Sequence, residues 1–347
     1  MKIAFFDAKS YDMDFFNRAN ADFGFKITYF SSHLTIETAA LSKGHDTICI
    51  FVNDIVTQEI VDILIANQIR LIALRASGYN NIDLKAVYRR IHVVRVPAYS
   101  PHAVAEHAVA LMLSLNRKIH KAYYRTHDGN FNIQGLLGFD MVGKTAGVIG
   151  TGQIGKIVAQ ILKGFGMRVL GYDLFPDKAS ATRIGFEYVD LDTLWKESDI
   201  LTLHCPLTKE TVHLINEASI AKMKPGVMII NTGRGMLIDS KALIEGLKSG
   251  QVGSAGLDVY EEENEYFFED FSTSVITDDV LARLLSFNNV LVTSHQGFFT
   301  KEALQNIAAI TLKNIKIFFL EERTESEICY KCGQQGGCVR KQTGKCF

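Results

Sequence analysis

Arg234, Asp258 and His295 each fall at or near the end of an apolar, strand-like run, at residues 227–231, 253–260 and 289–293. Arg234 stands in the glycine-flanked loop Thr232-Gly233-Arg234-Gly235, Asp258 precedes the acidic run Glu261-Glu262-Glu263, and His295 follows Ser294. A guanidinium fork grips a carboxylate through two parallel hydrogen bonds. An imidazole, which titrates near neutrality, exchanges a proton with a neighbouring oxygen, and a carboxylate beside it orients the ring. Taken singly, a loop arginine is usually solvated, an acidic run is usually a wet face, and a histidine after a strand is usually surface. Convergence of the three on one sheet edge gives the chemical reading its weight.

Beside these residues stands a turn of a different kind, Gly150-Thr151-Gly152-Gln153-Ile154-Gly155. A short β-prone run, residues 145–149, precedes it, and Ile154, Ile157, Val158, Ile161, Leu162 and Phe165 then recur at helical spacing. In such a strand, turn and helix, one glycine permits the tight bend, one lets the backbone approach a pyrophosphate, and one lets helix and strand pack closely. The helix N-terminus adds partial positive charge. A second strand, residues 167–172, ends at Asp173, near the spacing expected for an acid that accepts both ribose hydroxyls. Its charge would repel a 2′-phosphate, so NAD is expected over NADP. With NAD as hydride carrier, the arginine, acid and histidine describe interconversion of a 2-oxo acid and a 2-hydroxy acid.

The elements that must position these groups follow from composition and alternation. A chain of 347 residues, 47% hydrophobic and 22% charged, has enough apolar material for about two domains. A net charge of −1 without a basic stripe argues against nucleic acid and against an anionic membrane surface. No apolar run approaches the roughly 18 residues of a membrane helix, and the N-terminus meets Asp7 too soon for a signal-peptide core, so a cytoplasmic protein is expected. Strand-like runs at 2–6, 26–30, 47–52, 71–74 and 93–96 alternate with helix-like segments such as 57–67. Residues 145–295 repeat the alternation, which predicts an α/β protein of two doubly wound parallel sheets. A long helix after Pro101, apolar on more than one face, separates the halves, and residues 301–319 form a further amphipathic helix. A ligand is expected outside the carboxyl ends of the strands.

The order of these motifs resembles the D-isomer-specific 2-hydroxyacid dehydrogenase family, and within it most resembles the fermentative D-lactate dehydrogenases. The resemblance covers about residues 1–328. It includes Arg75-Ala76-Ser77-Gly78-Tyr79-Asn80-Asn81-Ile82-Asp83, Arg95-Val96-Pro97-Ala98-Tyr99-Ser100-Pro101, Ala105-Glu106-His107, His204-Cys205-Pro206-Leu207-Thr208, Asn231-Thr232-Gly233-Arg234-Gly235, Gly256-Leu257-Asp258-Val259-Tyr260 and Ser294-His295-Gln296. It implies that Arg234 binds the substrate carboxylate, that His295 is the acid and base, and that its acidic partner is Glu263. Glu261 and Glu262 are chemically equivalent neighbours of that partner. The amides of Ser77 and Gly78 would hold the other side of the carboxylate, and Tyr99, Phe298 and Phe299 would wall a pocket that favours a substrate as small as pyruvate. On the cofactor side the resemblance places Gln153 and Ile154 at the pyrophosphate, Asp173 at the ribose, and Cys205 and Pro206 along the adenosine. Thr232, Gly233, Arg234 and Asp258 fall near the nicotinamide. Position 205 is more usually valine in relatives, and position 211, here Thr211, is often asparagine.

The implied activity is NADH-dependent reduction of pyruvate to D-lactate. A larger substrate such as 2-oxobutyrate or phenylpyruvate is the neighbouring possibility, and an NADH-sensing binding protein is the alternative from another class. The implied fold is a flavodoxin-like substrate domain, residues 1–99 and 296–328, interrupted by a Rossmann NAD-binding domain at 100–295, the long helix carrying much of a homodimer interface. Other residues carry less. His102 and His107 are five apart and do not share a helix face as zinc ligands would, so no metal is expected there. Cys205 ends an apolar strand, which disfavours a thiolate nucleophile. Four of the six cysteines, Cys329, Cys332, Cys338 and Cys346, crowd a glycine-rich basic tail at 329–347. That tail is expected to be disordered, a four-thiolate zinc or redox appendage being the sharper alternative.

Overall fold

In a computed structural model of the chain, residues 1–263, 266–321, 326–331 and 346 are described. The chain divides into two compact units, Met1–Ser100 with Phe299–Phe347, and Pro101–Phe298. The first unit opens with β1 (Lys2–Phe5), β2 (Lys26–Tyr29), β3 (Thr47–Ile50), β4 (Leu71–Leu74) and β5 (His92–Arg95). The second holds β6 (Thr145–Ile149), β7 (Arg168–Tyr172), β8 (Glu187–Tyr188), β9 (Ile200–Leu203), β10 (Val227–Asn231), β11 (Val252–Leu257) and β12 (Val290–Val292). The first unit then resumes with the helix Lys301–Glu321 and a short strand, β13 (Glu327–Ile328).

In the first unit the strand order among the described residues is β13-β5-β4-β3-β1-β2. Every pairing is parallel except that of β13, which runs antiparallel along the edge of β5. The central strands are buried along their whole length, as a parallel sheet covered on both faces requires. The helix Lys301–Glu321 packs on the helix Ser10–Asn20 and on β4 and β5. Its buried stripe of Ala303, Leu304, Ile307, Ala308, Leu312 and Ile315 recurs at helical spacing. At the sheet edge His92 Nδ1 lies 2.6 Å from Glu327 Oε1, an acid that is itself buried.

The second unit is wholly parallel in the order β12-β11-β10-β9-β6-β7-β8. The strand order reverses beside β6, the switch point at which an open α/β sheet leaves a crevice at its carboxyl edge. The helix Pro101–Arg117 belongs to this unit, and its residues Ala105, Ala108, Leu111, Met112 and Leu115 share a core with Val158, Leu162 and Ile230.

Three details differ from expectation. The strand expected over 253–260 is β11 and stops at Leu257, opposite Asn231 where β10 ends; Asp258 N makes the last bond to that neighbour, and Val259 and Tyr260 remain buried beyond the strand. Phe298, expected in the first half, falls in the second unit, where Asp258 ties the amides of Gln296 and Gly297 and the Phe298 ring lies 6.4 Å from that of Phe268. In the tail expected to be disordered, Cys329 and Cys346 are both buried, and Cys346 N donates to Glu327 Oε2 at 3.1 Å. Cys332 and Cys338 lie outside the described residues.

Candidate functional site

Because all strands of the second sheet run the same way, Gly150, Asp173, Cys205, Thr232, Asp258 and His295 come just after the carboxyl ends of β6, β7, β9, β10, β11 and β12 along one edge. His295 Nδ1 lies 2.9 Å from Glu263 Oε1. The other carboxylate oxygen accepts the Tyr260 N–H at 3.0 Å. Among the three adjacent acids only Glu263 meets this ring, since Glu261 is engaged by His213 Nε2 at 2.6 Å and by the Ser240 N–H at 3.0 Å. His295 has a left-handed backbone, φ +49°, which costs a non-glycine residue on the order of 1 kcal/mol.

Arg234 follows Thr232 and Gly233 at the end of β10. Asn231 braces this loop from both sides: its Oδ1 accepts the Gly233 N–H at 3.0 Å and its Nδ2 donates to Arg234 O at 2.9 Å. One guanidinium nitrogen, Nη1, donates to Gly233 O at 2.7 Å. Asp258 is fully buried and accepts three hydrogen bonds from the segment after β12, from Thr293 Oγ1 at 2.6 Å and from the amides of Gln296 and Gly297 at 2.8 Å each.

The glycine turn has the geometry its spacing implies. Gly150 has φ +88°, and a Cβ there would lie 2.4 Å from Cys205 N. A Cβ on Gly155 would lie 2.0 Å from Gly150 O, so helix and strand pack too closely for any side chain. Gly152, the N-cap of the helix Gln153–Gly164, faces open space, with nothing within 4 Å of an added Cβ. The first-turn amides of Gln153 and Ile154 have no acceptor within their own helix and are free to meet an anion. Asp173 Oδ2 accepts the Thr151 N–H at 2.7 Å, and its Oδ1 accepts Phe175 N at 2.9 Å. Among the described residues, Thr232 Oγ1 is buried without a hydrogen-bond partner. An open cradle at Gly152, an acid at the end of β7 and an orphaned hydroxyl at Thr232 fit a dinucleotide laid along this edge.

His204 and Cys205 follow β9. Burial pushes the Cys205 thiol up to about 11, which makes it a poor nucleophile at neutral pH. Thr211 Oγ1 donates to Pro206 O at 2.8 Å and closes the turn after the strand. In the first unit Ser77 and Gly78 lie beyond β4; Ser77 Oγ donates to Pro97 O at 3.2 Å, and Tyr99 O accepts Asn306 Nδ2 at 2.7 Å. Phe299 is half exposed, its ring edge-on to Tyr11 at 4.8 Å. His102 is exposed, 3.9 Å from Glu106, whereas His107 turns inward, 3.1 Å from Thr293 Oγ1 and 3.2 Å from Asp258 Oδ1. The sequence reads His107 as packing and misses its partners, as it misses the bracing by Asn231, because neither has a spacing signature.

Known proteins resemble this chain over most of its length. Residues 109–297 match the family described as D-isomer specific 2-hydroxyacid dehydrogenase, NAD binding domain. The D-lactate dehydrogenase of Escherichia coli K12 is 53% identical over 91% of this chain and 96% of its own length. Among solved structures, the pyruvate reductase of Chlamydomonas reinhardtii superposes with a TM-score of 0.88 at 43% identity, covering 92% of this chain and 97% of that one. D-lactate dehydrogenase with NAD+ from Lactobacillus jensenii gives 0.79 at 32%, covering 94% and 99%.

Proposed function

Since the chain belongs to the D-isomer-specific 2-hydroxyacid dehydrogenase family, and is thereby an NAD-dependent oxidoreductase of 2-hydroxy acids, we propose that it reduces pyruvate reversibly to D-lactate, His295 delivering the proton. NADH, when bound, supplies the hydride to the 2-oxo carbon. Arg234 binds the substrate carboxylate as a bidentate fork and polarises the oxo group. Glu263 holds Nδ1 of His295, which leaves Nε2 to carry the proton to the developing hydroxyl. In the reverse direction the same nitrogen removes that proton. Gln153 and Ile154 hold the pyrophosphate and Asp173 the ribose; Cys205, Pro206 and Thr211 line the adenosine, and Thr232, Gly233 and Asp258 lie by the nicotinamide.

The observation that carries this reading is the 2.9 Å contact of Glu263 with His295 on the sheet edge that also bears the Arg234 loop. Roles for Ser77 and Gly78 as carboxylate donors, and for Tyr99, Phe298 and Phe299 as walls that keep the substrate small, belong to the same proposal. So do a cytoplasmic location and a homodimer. No helix of the described residues is long and apolar enough to cross a membrane. The exposed apolar side chains of Phe131, Ile133, Leu137 and Val142 support self-association.

The test is oxidation of NADH with pyruvate, 2-oxobutyrate and phenylpyruvate, the hand of the product being read with an enantiospecific assay. Preferred turnover of pyruvate with formation of D-lactate is expected. A wide preference for phenylpyruvate would move the assignment to a larger 2-oxo acid.

A further inference from the structure

The helix Pro101–Arg117 is apolar along most of its inward face, yet it turns one imidazole toward the loop that carries His295. His107 Nε2 lies 3.1 Å from Thr293 Oγ1 and 3.2 Å from Asp258 Oδ1. The Thr293 hydroxyl proton is already given to Asp258 Oδ1 at 2.6 Å, and a carboxylate only accepts. The proton between these groups must therefore sit on His107 Nε2, which fixes its tautomer and makes it the donor.

Residues 293–297 wrap around that one carboxylate. Thr293 bonds it by its side chain, Gln296 and Gly297 bond it by their amides, and His295 N bonds the Asp258 carbonyl at 2.8 Å. The wrap holds His295 in its left-handed conformation, which the residue would leave if the loop relaxed. Asp258 N is bonded in turn to Asn231 O, the residue that braces Gly233 and Arg234. Asp258 thus links the two loops, its carbonyl and N–H bonding His295 N and Asn231 O while its carboxylate ties Thr293, Gln296 and Gly297, and His107 contributes a donor to Thr293 from outside the strand ends.

We infer that His107 is a positioning residue: by donating to Thr293 Oγ1, with Asp258 Oδ1 3.2 Å away, it locks the 293–297 loop around the left-handed His295 and so aims that ring. This inference rests on the reading of His295 as proton donor. His107 touches none of the reacting atoms in that scheme, and its loss acts on the rate more than on cofactor binding.

The experiment compares His107→Leu, His107→Gln, Thr293→Val and the His107→Leu/Thr293→Val pair in the full-length protein. His107→Leu and Thr293→Val should each lower kcat by about 10- to 100-fold, the order expected for a group misplaced by about 1 Å. The dissociation constant for NADH should move by less than about threefold, and the pair should be no worse than the stronger single change, as for residues acting as a unit. His107→Gln, whose amide nitrogen reaches the position of Nε2, should recover most of the loss; a mere gap in packing would not be rescued by a polar side chain. Amide exchange of residues 293–297, measured without substrate, should quicken by about tenfold or more in the Leu and Val variants and return with Gln. Should the wild type reduce no 2-oxo acid, the functional reading fails while exchange still decides the network. If His107→Leu does not fold, Thr293→Val and His107→Gln carry the test. Wild-type kcat and exchange in the Leu or Val variant, or failure of Gln to rescue, would overturn the inference.

Discussion

Glu263 Oε1 lies 2.9 Å from His295 Nδ1. The acid cannot swing away freely, because its second oxygen is held by the Tyr260 amide at 3.0 Å. Among the described residues the ring is hydrogen-bonded at Nδ1, and Nε2 is the nitrogen to which the proposal assigns the proton. Two residues earlier, Glu261 spends both of its oxygens on His213 and on the N-terminus of the helix Ser240–Ser249. Neighbouring glutamates of one acidic run have different employment.

That difference is testable. His295→Gln should lower kcat with pyruvate by roughly 10²- to 10⁴-fold, the usual worth of a positioned acid or base, and leave NADH binding nearly intact. Glu263→Gln, which can still bond Nδ1 but lacks the charge, should lose about 10- to 100-fold. Glu261→Gln should stay within about twofold of the wild type in kcat/KM. Steady-state kinetics and NADH fluorescence titration measure all three, and equal losses at 261 and 263 would remove Glu263 from its assigned role.

The glycines of the dinucleotide turn separate folding from binding. Gly155→Ala would press a methyl carbon against Gly150 O, a backbone atom that cannot yield, so a lower melting temperature is expected. Gly152→Ala meets nothing within 4 Å and should melt like the wild type. It should nevertheless bind NADH about tenfold or more weakly, because the added methyl stands where a pyrophosphate approaches the helix N-terminus. A Gly152→Ala protein with unchanged affinity would place the phosphates elsewhere.

Much of this is legible in the chain because parallel α/β architecture writes its function at strand ends. Buried strands such as Val227–Asn231 stand out as continuous apolar runs, and the residues just beyond their carboxyl ends share one edge, so Gly150, Asp173, Arg234 and His295 can be grouped before any coordinates are known. Glu263 is singled out over Glu261 by the resemblance alone, because residue spacing does not encode the path of the chain after β11. The role of His107 is hidden for a similar reason: on an apolar helix it looks like packing, and only the loop returning at Thr293 gives it a partner. The two-residue strands β8 and β13 are too short to carry a period at all.

Asp173 should set the choice between cofactors. Its carboxylate stands at the end of β7, held by the Thr151 and Phe175 amides at 2.7 and 2.9 Å, so its negative charge has a fixed place. Replacing it with serine should weaken NADH and relieve the repulsion of a 2′-phosphate, narrowing the NADH-over-NADPH preference by about 100-fold in kcat/KM. An unchanged ratio would mean that another group discriminates.

His204 gives the second unit an acid-sensitive point beside the cofactor turn. Its backbone N–H donates to Ile149 O at 2.7 Å, Nε2 lies 2.8 Å from Thr202 Oγ1, and burial pushes the imidazole down to about 4. An unfolded histidine takes up its proton near pH 6.5. The folded protein therefore enjoys the full benefit of the neutral ring above about pH 6.5, and loses it as the pH falls toward 4, since only the unfolded chain is protonated in that window. Between about pH 7.5 and pH 5 the loss amounts to about 2 kcal/mol. His204→Gln keeps a hydrogen-bonding group for Thr202 and has nothing to titrate, so its unfolding free energy should fall less over the same interval. Denaturant unfolding of both proteins at the two pH values measures the difference; parallel losses would assign the acid sensitivity to other groups and leave His204 a silent core residue.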